Sequence, residues 1–141
     1  MDVEAKETVV LPDDRPSFTA KVLLVEDNLT NQIVTRGLLN LFGIDAVLAE
    51  NGQEGVEHAR SQHFDLIFMD CQMPVMNGYD ATKAIRQFVD SRTASDVTII
   101  ALSASAIQEE IDECFAVGMN DYLAKPISQN TLIAVLSKWL D

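Results

Sequence analysis

The stretch Leu66-Ile67-Phe68-Met69-Asp70-Cys71-Gln72-Met73-Pro74-Val75-Met76-Asn77-Gly78 decides the fold. Its first four residues are apolar without a polar alternate, the pattern of a strand covered on both faces in a parallel sheet. Asp70 closes that run. A carboxylate at the end of a buried strand has to be ligated, paired or reactive, because an unpaired buried charge is strongly unfavourable.

The same pattern recurs along the chain. Lys21-Val22-Leu23-Leu24-Val25 is followed at once by Glu26 and Asp27, Ile99-Ile100-Ala101-Leu102 by Ser103, and Tyr122-Leu123-Ala124 by Lys125. In an open parallel sheet ligands bind outside the carboxyl ends of the strands, so groups far apart in sequence converge there. Three carboxylates, a hydroxyl and an ammonium point to a divalent cation with a phosphoryl group. Glu26, Asp27 and Asp70 meet only if the first and third strands are neighbours, as in the order 2-1-3-4-5. Clustered carboxylates raise one another's pKa unless a cation offsets them. Mg²⁺ fits such a cluster best, since it accepts a couple of carboxylates, keeps waters and bridges to phosphate oxygen.

Between these strand ends the apolar spacing becomes helical. Helices are expected over Asn31 to Phe42, Gln53 to Gln62, Tyr79 to Phe88, Ile107 to Val117 and Ser128 to Leu140, with a short strand over Ala46 to Ala49. Gly43 is placed to end the first helix. Strands alternating with helices of this length imply right-handed crossovers and an α/β fold, five strands and five helices in a flavodoxin-like doubly wound sheet.

A chain of 141 residues, 48% hydrophobic and 23% charged, is one globular domain rather than a disordered segment. Its net charge of −12 argues against nucleic-acid binding, which rests on Lys and Arg neutralising phosphates. Two cysteines without a C-x-x-C spacing, Cys71 and Cys114, fit a reducing compartment, although spacing alone leaves a disulfide between them open. No apolar stretch approaches the roughly 20 residues that span a bilayer, so the domain is expected to be cytoplasmic with no membrane contact of its own. Residues 1–18, with Pro12, Pro16 and several acids, read as a linker or terminal extension, and residues 19–141 as the domain.

Four motifs in order resemble the receiver domain of two-component response regulators: Val25-Glu26-Asp27-Asn28, Asp70-x-x-Met73-Pro74-x-Met76-x-Gly78, Ser103-Ala104 and Lys125-Pro126. The resemblance covers Lys21 to Leu140. It implies that Asp70 is the phosphoacceptor, taking a phosphoryl group from a phosphohistidine. It further implies that Glu26, Asp27, Asp70 and the Gln72 backbone carbonyl hold Mg²⁺, and that Lys125 and Ser103 contact the phosphoryl oxygens. Tyr122 matches the family's switch aromatic, and Gln72 and Ser105 stand where acyl-phosphate lifetime is tuned. The residue before Pro126 is held extended, which presents Lys125 from a stiff strand end, and a cis bond there fits the same turn.

The strings around Asp27 and Asp70 look most like receivers of hybrid sensor histidine kinases, which implies a histidine kinase domain or a histidine phosphotransfer protein as partner. A stand-alone single-domain regulator is the alternative. A Mg²⁺-dependent phosphohydrolase shares the Asp, Ser and Lys chemistry, yet the chain has no insertion large enough for a substrate cap. A flavodoxin-like cofactor binder needs a loop that cradles phosphate after the first strand, where Glu26-Asp27-Asn28 would repel it.

In the first helix Ile33, Val34, Gly37, Leu38, Leu41 and Phe42 cover about half the circumference, more than the roughly 100° stripe one sheet face buries. The edge holding Ile33, Gly37 and Leu41 is therefore expected to stay exposed beside the Asp70 cleft as a docking face, the alternative being that the last helix or residues 1–18 cover it. His58 and His63 read as solvated, and Cys71 as a small buried hydrophobe.

Overall fold

The structure, a computed structural model, describes residues 17–73, 75–104 and 107–140. Most of the 1–18 extension, Pro74 and Ser105 lie outside the described residues. Along the chain run β1 (Val22–Val25), α1 (Leu29–Leu41), β2 (Val47–Ala49), α2 (Gly52–Ser61), β3 (Leu66–Asp70), α3 (Gly78–Arg86), β4 (Thr98–Ser103), α4 (Gln108–Ala116), β5 (Asp121–Ala124) and α5 (Gln129–Leu140). The strands pair in parallel in the order β2-β1-β3-β4-β5, as expected from the need to bring Asp27 to Asp70.

Helix starts are set by asparagines. Asn28, Asn51 and Asn77 each stand in extended conformation before a helix, and each side chain accepts the backbone N–H three residues on, at 3.0, 2.9 and 2.9 Å. An Asn cap satisfies one of the N–H groups that a helix leaves orphaned at its start. These caps begin α1, α2 and α3 one or two residues earlier than apolar spacing alone indicates. Gly43, at φ 83°, follows the C-cap of α1 in the left-handed region that glycine enters at no steric cost.

The pleat sends alternate residues to opposite faces. Leu23, Val25, Ile67, Met69, Ile99 and Ala101 pack with α2 and α3 residues such as Val56, Ala59 and Ile85 and with Cys114 of α4. Val22, Leu24, Leu66, Phe68, Ile100 and Leu102 pack on the other face with Leu39 and Phe42 of α1 and Leu132, Val135 and Leu136 of α5. Phe18, at the end of the stretch read as an extension, is buried in this second layer and donates its N–H to the Phe42 carbonyl at 2.9 Å. No helix of the described residues is long and apolar enough to cross a membrane.

The amino ends of the strands are braced by neutral acceptors. Arg86, in the last turn of α3, donates from Nε and Nη2 to the Gly118 carbonyl at 2.9 and 2.6 Å, from Nη1 to the Ser95 and Val97 carbonyls at 2.8 and 2.6 Å, and from Nη2 to Asn120 Oδ1 at 2.9 Å. Two loops, those before β4 and β5, are thereby tied to one side chain. The buried Thr93 accepts the Phe64 N–H at 3.0 Å and donates to the Gln62 carbonyl, joining the turns before β3 and β4.

Candidate functional site

Register places the site. Val25 is the partner of Met69, so the next residues out, Glu26 and Asp70, fall side by side. Ser103 is the partner of Ala124, and the Lys125 N–H donates to the Ser103 carbonyl at 2.7 Å, which brings Lys125 to the same rim. Its ammonium lies 3.0 Å from Glu26 Oε1 and 3.1 Å from Asp70 Oδ1. The Lys125–Pro126 peptide is cis.

Glu26 is fully buried and Asp70 nearly so, whereas Asp27 is exposed. One carboxylate oxygen from each of the three lies within 4.8 Å of the others. Further donors reinforce the cluster: the Asn28 N–H to Glu26 Oε2 at 3.1 Å, the Gln72 N–H to Asp70 Oδ1 at 3.2 Å, and the Gln32 side-chain amide to the Glu26 carbonyl at 2.8 Å. Sequence reading missed Gln32 because α1 was judged by its apolar stripe. The buried side of that helix is Gln32, Thr35 and Leu39, and a glutamine one turn into a helix after an acidic strand end was the available signal.

The loop after Asp70 is pressed close. A Cβ on Gly78 would stand 2.2 Å from the Asp70 carbonyl oxygen, so only glycine lets α3 begin against the end of β3. The loop also holds the exposed Val75 at φ 72°, a conformation that β-branched residues seldom adopt. Met73 and Met76 pack against the core from this loop.

Burial pushes the Asp70 carboxyl up to about 7, helped by its hydrogen bond to Glu26 and by the Glu26 charge, while Lys125 opposes. Glu26 goes the other way. Burial works to raise it, but the hydrogen bonds from Asp70, the Asn28 N–H and Lys125 outweigh burial and lower its pKa. Lys125 is held above the usual lysine value: burial acts to lower it, and the Asp70 and Glu26 carboxylates prevail. Below about pH 7 the acids therefore share one proton, held mainly by Asp70 against a charged Glu26, as crowded carboxylates do. A hard divalent cation with oxygen preference fits this donor set. It would be held by Glu26, Asp27 and Asp70.

Ser103 is buried at the rim, and its hydroxyl donates to Glu110 Oε1 of α4 at 3.4 Å, a longer-range tie than a helix cap. Tyr122 is half-buried against the layer formed by α2, α3 and α4. Gln72 is exposed. On α1, Ile33 is 65% and Leu41 40% exposed and Gly37 is exposed as well, the open edge expected there, with Leu29 and Val34 extending it. A cavity of about 160 Å³ runs from Glu26 and Lys125 to Thr30, Val34 and Ile127, between that edge and the turn after β5. A wider hollow of about 440 Å³ lies at the opposite end of the sheet, lined by Lys21, Gln62, His63 and Arg92 and remote from the acids. His63 is exposed and paired with Asp65 at 2.9 Å, and the His58 ring meets the Gln62 side-chain amide at 3.3 Å.

Fold and site together define a flavodoxin-like α/β domain whose functional rim is acidic rather than glycine-rich. Residues 22–137 match the response regulator receiver domain, and the chain belongs to that family.

Its relatives include hybrid sensor kinases. The chain is 36% identical over 140 residues to hybrid signal transduction histidine kinase A of Dictyostelium discoideum, covering 99% of this chain and 6% of that protein. It is 41% identical over 123 residues to the sensor protein GacS of Pseudomonas syringae pv. syringae, covering 87% of this chain and 14% of that one. The chain thus spans a small fraction of the length of these kinases. Among solved structures, the receiver domain of sensor histidine kinase PA1611 from Pseudomonas aeruginosa PAO1, with magnesium coordinated in its active site cleft, matches at TM-score 0.77 and 42% identity, covering 86% of this chain and 97% of that one. The Saccharomyces cerevisiae co-crystal of the histidine phosphotransfer protein Ypd1 with the receiver domain of Ssk1 matches at TM-score 0.79 and 34% identity, over 89% of this chain and 92% of that one.

Proposed function

We propose that this receiver domain takes a phosphoryl group from a phosphohistidine onto Asp70, with Mg²⁺ held by Glu26, Asp27, Asp70 and the Gln72 carbonyl, within a two-component relay of the hybrid-kinase type. The observation that carries this reading is the placement of Asp70 at a buried strand end, in contact with Glu26 and with Lys125 at 3.1 Å. A bound cation would neutralise the crowded acids and the charge on the phosphoryl oxygens. The deprotonated Asp70 carboxylate attacks phosphorus, the bond to the imidazole nitrogen breaks, and a bond to the Asp70 oxygen forms. Lys125, released from part of its pairing with Asp70, takes a phosphoryl oxygen, and the Ser103 hydroxyl turns from Glu110 to another.

The same reading gives the exposed edge of α1 its role. Ile33, Gly37 and Leu41 line the exposed edge of α1, which leads away from the cleft and offers apolar contact to a histidine-bearing helical partner. The PA1611 and Ypd1–Ssk1 structures support the metal and the partner class as properties of similar domains.

The test is uptake from an acyl phosphate donor with Mg²⁺, followed by intact mass. One hydroxylamine-sensitive phosphoryl group is expected on the wild-type chain and none on Asp70→Asn. Wild-type uptake by Asp70→Asn overturns the assignment. Lys125→Ala is expected to slow uptake at least about tenfold, the loss of one positioned charge.

A further inference from the structure

Cys71 and Cys114 lie 43 residues apart in sequence, yet their sulfurs are 3.6 Å from one another, and both thiols are free and buried. Cys71 directly follows Asp70. Cys114 belongs to α4, where it is the one buried residue among the nine. Neither thiol has a part in the phosphoryl chemistry above.

From this geometry we infer that Cys71 and Cys114 are a dithiol site that a small peroxide converts to an intramolecular disulfide, tying α4 to the end of β3. A disulfide needs its sulfurs about 2.05 Å apart, so the present contact closes by about 1.5 Å. Access follows from the same packing. Because α4 reaches the core through Cys114 alone, a small outward displacement of that helix uncovers the thiol without opening the sheet.

The chemistry balances with peroxide as the two-electron oxidant. The Cys114 sulfur attacks one peroxide oxygen as its thiol proton is lost, the O–O bond breaks, and the departing hydroxide takes that proton, giving Cys114 sulfenic acid and one water. Cys71 sulfur then attacks the Cys114 sulfur, the S–O bond breaks, and the displaced hydroxide takes the Cys71 thiol proton and leaves as the second water. Two thiols and one peroxide give one disulfide and two waters.

The consequence for the domain rests on the proposed phosphoryl chemistry. Ser103 bonds Glu110 of α4, so a phosphoryl group that draws the Ser103 hydroxyl away loosens α4. A Cys71–Cys114 bond holds α4 whatever Ser103 does.

The experiment treats the reduced protein with dilute hydrogen peroxide and reads intact mass, thiol count and a peptide map. The expected product is monomeric, has lost two hydrogens and both reactive thiols, yields a Cys71–Cys114 linked peptide, and reverts with dithiothreitol. Its melting temperature should rise by roughly 5 °C or more, since the bond closes a long loop. Cys114→Ala should give no such product, and Cys71→Ala should stop at an oxidised Cys114. Two thiols still free after peroxide, sulfinic acid in place of the linked peptide, or disulfide-bonded dimers overturn the site. A second arm follows hydrogen exchange over residues 108–116 on adding an acyl phosphate donor with Mg²⁺. Faster exchange in the reduced form and none in the oxidised form is expected, and an equal response in both overturns the tether. Because the first arm needs no phosphoryl transfer, failure of the function reading shows as an absence of phosphoryl uptake while the disulfide still forms.

Discussion

Arg86 and Lys125 are cations drawn largely out of water at opposite ends of the same sheet, and they keep different company. Arg86 meets three carbonyls and an amide oxygen, all neutral and all fixed by backbone, so nothing around it competes. Lys125 is shared by two carboxylates that repel each other, with a third acid close by. A buried charge with every donor satisfied holds a fold together. A buried charge shared among acids that repel one another is the arrangement a bound cation would relieve.

Arg86→Ala is the sharpest way to break the contrast. It frees the Ser95, Val97 and Gly118 carbonyls together, and a loss of about 3 kcal/mol in urea unfolding is expected, with phosphoryl uptake by Asp70 unchanged in whatever fraction stays folded. A comparable loss of uptake rate in folded protein would erase the distinction between the two ends.

At the acidic end the next largest change is a gain. Mg²⁺ at about a hundred times its dissociation constant should stabilise the fold by about 2.7 kcal/mol, and Asp27→Ala should remove most of that shift. Melting curves that superimpose with and without millimolar-range Mg²⁺ would count against the cluster as a metal site.

Without metal, the acids should be a liability that pH reveals. Asp70 sits at about 7 in the native state and near 3.8 when unfolded, so between these values the folded chain holds a proton that the unfolded chain has released. Stability should therefore fall as pH rises from about 4 to about 7, then level off. Asp70→Asn should flatten that slope and stabilise the metal-free protein at pH 7.5 by on the order of 1 to 2 kcal/mol. An unchanged slope in that variant would place the titration elsewhere.

The smallest expected effect is at the docking edge. Ile33→Asp, at a 65% exposed site, should alter stability by less than about 0.5 kcal/mol. It should slow exchange with a histidine phosphotransfer protein while leaving uptake from an acyl phosphate donor as it was. If both reactions slow together, the partner binds elsewhere.

How much of this was legible depended on whether the signal was local. The strand ends were, because four apolar runs each stop at a polar group, and requiring Asp27 to meet Asp70 made the first and third strands neighbours, as they are in the order 2-1-3-4-5. Asp70, Glu26 and Lys125 came together as expected for the same reason. The Arg86 clamp was not legible. Apart from Asn120 Oδ1, its acceptors are backbone carbonyls of residues 95, 97 and 118, and a carbonyl carries no sequence signature. The buried face of α1 was misjudged in part, since Gln32 and Thr35 occupy positions that hydropathy assigns to solvent. Cys71 was read correctly as buried, but contact with Cys114 depends on how α4 lies across the sheet, which no spacing of two cysteines encodes.

Gly37 sits inside α1, and a methyl added there would touch nothing within 4 Å among the described residues. Alanine at such a position would strengthen the helix by roughly 0.5–1 kcal/mol, so no packing among the described residues accounts for the glycine. What the missing methyl creates is a shallow notch midway along the apolar edge, between Ile33 and Leu41. The distance between two packed helix axes is set by the side chains at their contact, so a helix lying across this notch could settle closer to α1 than it could anywhere else along that edge.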